Sequence, residues 1–156
     1  MHPRQFALVG GIVMLLFGAL AFLPALSTPP GDAGLPILNL ETSYGLFLGF
    51  FPMNVINKLV LIAFGIAGIY SANKPTTSLP ASINFSRWTF FVMGIAAILG
   101  LFPATNTLGG YWPLFSGEVV AHAVFALSGG YFGFVLSERA AEKNRERFPE
   151  ETRRAS

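Results

Sequence analysis

Cysteine is absent from the 156-residue chain, which excludes a disulfide framework, a thiolate metal site and a thiol nucleophile. Charge is scarce as well. Only 12% of the residues are Asp, Glu, Lys or Arg, against about 25% in ordinary soluble domains. The deficit lies in the middle of the chain, where Asp32, Glu41, Lys58, Lys74, Arg87 and Glu118 are the charged side chains between Gln5 and Leu136. That distribution excludes a single soluble core and points to a polytopic membrane protein. The chain also lacks a basic patch with interleaved aromatics, so nucleic acid is not an expected partner. Nothing in it resembles a catalytic triad, a phosphate loop or an H-E-x-x-H motif, and an enzyme is not expected.

What the chain does have is apolar length. The hydrophobic fraction is 53% and the mean hydropathy is +0.57. Four runs stand out, at residues 6–26, 55–72, 88–104 and 119–136. Each approaches the ~20 residues that cross a bilayer core. In lipid every backbone amide needs an internal partner, so runs of this length are helices. The expected fold is therefore all-α, with four transmembrane helices in residues 1–136 and a charged cytoplasmic tail over 137–156. Pro24 and Pro103 end the first and third runs, and Ser116 suits the N-cap of the fourth.

Loop charge sets an expected orientation. Arg4, Lys74, Arg87 and the bases of the tail lie on one side. The other two loops hold Asp32, Glu41 and, at the edge, Glu118. The positive-inside rule then places both termini in the cytoplasm. The first run exceeds the ~7–15 residues of a signal-peptide core, so it is expected to be retained. The tail alternates acid and base and is expected to extend as a solvated helix to Phe148, stopped by Pro149. The proline-rich loop over 27–44 is expected at the membrane surface, and "GLFLGFFP" as an interfacial segment or a partial extra turn.

Shifted by 61 positions, "GFFPMNVINKLVLIAFGIAGIY" lies over "GYWPLFSGEVVAHAVFALSGGY", matching Gly49 with Gly110, Pro52 with Pro113, Phe64 with Phe125 and Gly68 with Gly129. This reads as a duplicated two-helix hairpin, whose pseudo-twofold runs along the membrane normal. Asn57, Leu61, Phe64 and Gly68 share a helical stripe. Their counterparts are Glu118, His122, Phe125 and Gly129. Gly65, Gly68, Gly129 and Gly133 are the expected packing positions, since small residues let membrane helices approach closely. The second and fourth helices are expected to be the inner pair.

The polar residues of these helices form the candidate site: Asn54, Asn57, Lys58, Glu118 and His122. Glu118 and His122 are spaced to face one point. Lys58 either pairs with Glu118 or snorkels to the headgroups, with Asn54 acting as an N-cap. An intramembrane histidine is a functional candidate by default. His122 has three readings: ligand to a haem or a chlorophyll magnesium, partner of Glu118 at a metal, or interhelical hydrogen bonder. One His and one Glu fall short of the usual four ligands of a closed metal site.

The segments "NVINKLVLIAFGIAGI" and "GEVVAHAVFALSGGYFGF" resemble the two signature helices of the bacterial four-helix membrane proteins catalogued as domain of unknown function 4383, over roughly residues 5–136. In that family each signature helix tends to carry Asn or Asp, a histidine four positions later, then spaced glycines. Glu118 and His122 keep a version of this, whereas Leu61 stands where the first copy would have its histidine. The resemblance implies the fold and topology and no activity. Members occur among phototrophic bacteria, which implies a bacterial inner membrane or a thylakoid membrane. The expectation is a small non-enzymatic protein in the lipid bilayer, an accessory or stabilising subunit alongside other membrane subunits such as those of a photosynthetic complex. The alternatives are a pigment- or haem-binding protein using His122, and a small transporter or sensor.

Overall fold

Four long helices dominate the computed structural model, which describes residues 2–139. They are α1 (Pro3–Leu20), α2 (Val55–Asn73), α3 (Ser78–Gly100) and α4 (Gly117–Gly130). A π-helical turn over Tyr131–Val135 carries α4 onward, giving a span of Gly117–Arg139. All four are long and apolar enough to cross a membrane. At ~1.5 Å per residue they reach about 27–35 Å. The expected four-helix membrane architecture is the one observed. The tail beyond Arg139, with its expected helix to Phe148, lies outside the described residues.

The end of α1 and the start of α3 depart furthest from expectation, for local reasons. α1 stops at Leu20 because Pro24 cannot continue a helix, and Pro24–Leu26 forms a 3-10 turn instead. α3 starts at Ser78 rather than at residue 88. Two of its hydroxyls bond within the helix: Ser86 Oγ donates to Ser82 O at 2.8 Å and Thr89 Oγ1 to Phe85 O at 2.9 Å. Hydroxyls bonded to the preceding turn cost little when buried.

The close-packed pairs are α1 with α2 and α3 with α4, and α3 also packs on α1 and α2. Glycines make both pairs close. A Cβ on Gly65 would lie 2.6 Å from Leu15 N, and one on Gly129 2.6 Å from Ser86 O. Gly68 meets Ala7 and Gly11 of α1, and Gly133 meets Arg87 of α3. The glycine positions therefore pack helices, but within each hairpin. The expected inner pair of second and fourth helices is not a packed pair, because α3 fills the space beside α2.

At the end away from the termini, the connections 21–54 and 101–116 form a cap. A three-stranded antiparallel sheet lies in it: β1 (Ser27–Thr28), β2 (Gly45–Phe47) and β3 (Phe51–Met53), in that order. The stretch expected to be interfacial is thus a hairpin. Leu48 and Gly49 turn it with φ of +51° and +69°, the left-handed pair that tight hairpins use. Phe47 and Met53 face inward and join Ala21 in a buried cluster that seats the cap on the bundle.

Candidate functional site

Three asparagine and carboxylate groups knit the cap to the helix ends. Asn54 precedes α2, where its Oδ1 accepts from Ile56 N at 3.0 Å and its own N–H donates to Asn57 Oδ1 at 3.2 Å. This reciprocal cap satisfies two amides that a helix start leaves free. Asn54 Nδ2 donates to Leu40 O at 3.2 Å and to Tyr111 O at 2.7 Å, fastening both cap segments to one side chain. Asn57 Nδ2 donates to Pro113 O at 2.9 Å and to Glu118 Oε2 at 3.1 Å. Glu118 stands in the first turn of α4, where the helix dipole favours an acid. One turn on, His122 Nε2 lies 3.8 Å from Glu118 Oε2.

Lys58 does not join this group. Its ammonium donates to Ser43 O at 2.6 Å and Ser43 Oγ at 2.7 Å, and stands 5.2 Å from the centre of the Phe22 ring. Successive helical residues diverge by about 100°. Asn57 takes the side facing α4, so Lys58 faces the first cap segment, and of its two expected alternatives the pair with Glu118 is not made. Ser116 occupies the N-cap position of α4 without a side-chain capping bond.

Beside Asn57, Glu118 and His122 lies a cavity of about 270 Å³ between α1 and α4. Phe17 of α1, Phe51 of β3, Met93 of α3 and Phe125 of α4 line it, with Glu118 and His122 on its wall. Val120 and Val124 form its α4 lip and are 54% and 56% exposed, so it opens sideways, toward lipid. Glu118 and His122 are only 3% and 7% exposed. Glu118 Oε1 and His122 Nδ1 are buried and have no hydrogen-bond partner among the described residues. Such groups are rare in folded proteins and call for an explanation. Phe17 and Met93 come from α1 and α3, which show no motif, so the walls of the cavity are not legible in the sequence. Among the described residues, no three His, Asp or Glu side chains come together.

In the cap, burial and the nearby Glu41 carboxylate push the Tyr44 hydroxyl up to about 12. It therefore stays a protonated donor at any physiological pH.

No curated protein and no solved structure matches the chain. The family model described as Domain of unknown function (DUF4383) matches residues 4–135. That stretch takes in all four helices and every polar group described above, and the chain belongs to this family.

Proposed function

We propose that the protein is a non-enzymatic accessory protein of the membrane, whose cleft between α1 and α4 holds a small amphipathic molecule taken laterally from the bilayer. The observation that carries this reading is the pair of unpartnered buried groups, Glu118 Oε1 and His122 Nδ1, at an otherwise apolar cavity. Ligand sites have this composition: apolar walls with a few placed polar groups that fix orientation. The apolar part of the occupant lies along Phe17, Met93 and Phe125, and its polar end meets Glu118 and His122. The carboxyl accepts or donates according to its protonation, and imidazole offers one of each. The cavity is smaller than the ~300–1,000 Å³ of drug-sized sites, and His122 Nε2 is turned to Glu118. A narrow chain or a single ring therefore fits better than a haem or chlorophyll macrocycle. Lipid extraction of protein purified in mild detergent, followed by mass spectrometry, tests the proposal. A stoichiometric amphiphile lost in Val124→Trp supports it; wild-type protein carrying the same lipid mixture as Val124→Trp refutes it.

A second reading is favoured by α3. Trp88, Phe91, Ile95 and Ile98 are each more than half exposed along one side of that helix, a face suited to a neighbouring membrane subunit of a larger assembly. A native gel and an absorption spectrum of the protein solubilised from its own membrane test this: a discrete large complex supports it, a lone species opposes it. In both readings the termini face the cytoplasm of a bacterial inner membrane, and the cap faces outward, on the strength of Arg4, Lys74 and Arg87.

A further inference from the structure

A second, smaller pocket of about 220 Å³ opens in the cap, on the opposite face of α2's first turn from Asn57. Phe22, Ser27, Ser43, Tyr44 and Lys58 all line it. Lys58 is 2% exposed, and burying a charge so fully is costly unless it is paired. Its known partners are neutral, the carbonyl and hydroxyl of Ser43. Ser43 holds this geometry with a φ of +56°, a backbone state that is uncommon for serine. An ammonium has three N–H donors, and Ser43 takes two. Two further hydroxyls of the pocket, Ser27 Oγ and Tyr44 Oη, are buried and have no partner among the described residues.

A cation with a spare donor and two unpaired hydroxyls therefore share one concave site, with no acid lining it. We infer that this pocket binds a phosphate oxyanion, with Lys58 supplying the charge and Ser27 and Tyr44 donating to its oxygens. Glu41 is the opposing charge felt at Tyr44. It is exposed, so solvent screens it. The phosphate belongs either to a phospholipid headgroup of the leaflet at the cap or to a soluble ion. This inference is independent of the cleft between α1 and α4, since Glu118 and His122 do not line the pocket. A lysine that merely snorkels would use its charge alone, indifferent to Ser27 and Tyr44.

The test is native mass spectrometry and thermal melting of the full chain in neutral detergent. Phosphatidylglycerol, phosphatidylcholine and inorganic phosphate are added separately. The Ser27→Ala/Tyr44→Phe double variant retains Lys58 and most of the packing, and Lys58→Met removes the charge. We expect phosphatidylglycerol or inorganic phosphate to bind the wild type at least tenfold more tightly than the double variant, whichever of the two responds naming the source. Equal binding by the wild type and the double variant, or binding to neither, overturns the inference even if Lys58→Met fails to fold.

Discussion

Asn57 and Glu118 are 61 positions apart and joined by a hydrogen bond of 3.1 Å. The same interval superposes the two similar segments of the sequence, so a duplication of the hairpin would make these two residues equivalents. Two equivalent positions meet only close to the axis that relates them. A twofold between the hairpins would therefore pass by this contact, along the membrane normal. The turns before these helices are left-handed in both segments: Leu48 and Gly49 have φ of +51° and +69°, and Gly109 and Gly110, 61 positions on, have +69° and +86°. The contact itself is asymmetric, an amide facing a carboxylate, and it is this asymmetry that turns a structural junction into a candidate site.

Asn57→Ala removes the donor to both Glu118 Oε2 and Pro113 O. Leaving a buried acceptor unsatisfied costs about 1–3 kcal/mol, so denaturation in detergent should show a loss of that order. In a double-mutant cycle with Glu118→Ala the two changes should be non-additive, because they share one bond. Strict additivity would count against the junction.

The hairpin packing gives a sharper contrast. Gly65→Ala sets a methyl against the Leu15 backbone, and overpacking of this kind costs about 1–3 kcal/mol. At Gly94 the nearest atom to an added Cβ is Ala126 Cβ, at 3.8 Å. Gly94→Ala should melt like the parent while Gly65→Ala melts early. Equal melting temperatures would show that α1 and α2 are not packed as described.

Orientation can be read directly, because the chain has no cysteine of its own. Ile37, 91% exposed in the cap, should react with an impermeant thiol reagent in intact cells when replaced by cysteine. Thr76, exposed in the connection between α2 and α3, should react only after permeabilisation. The reverse pattern would invert the topology.

Alkaline pH should find Tyr44. Its hydroxyl is raised from 10.0 to about 12, so the fold favours the protonated form. The associated stability is complete below about pH 10 and is lost as pH rises toward about 12. Tyr44→Phe should remove that portion of the alkaline transition, measured by helical signal against pH. If Tyr44→Phe and the parent lose structure along the same curve, Tyr44 is not buried in this way.

Much of this was legible in the chain, and the parts that were not have physical reasons. The four spans follow from hydropathy, since lipid leaves apolar runs no alternative to helix. The role of Asn54 as a cap and the convergence of Asn57, Glu118 and His122 follow from spacing and from the 61-position likeness of the two segments. The partner of Lys58 does not: Ser43 lies in a loop, and only its left-handed backbone brings it to the ammonium. The packing partners of the glycines were also hidden, because spacing identifies a helix face without saying which neighbour it meets. The cavity was the least visible feature, as Phe17, Phe51 and Met93 come from three separate elements and read as ordinary membrane residues.

An amphiphile oriented by Glu118 and His122 in the cleft between α1 and α4, as proposed, would travel with the purified protein. Native mass spectrometry of the protein ejected from its own membrane, compared with His122→Leu and Glu118→Gln, tests it most directly. The wild type should carry one bound small molecule, released from both variants while their helical content is unchanged. A wild type that carries no bound molecule, or variants that retain the same one at the same occupancy, would contradict it.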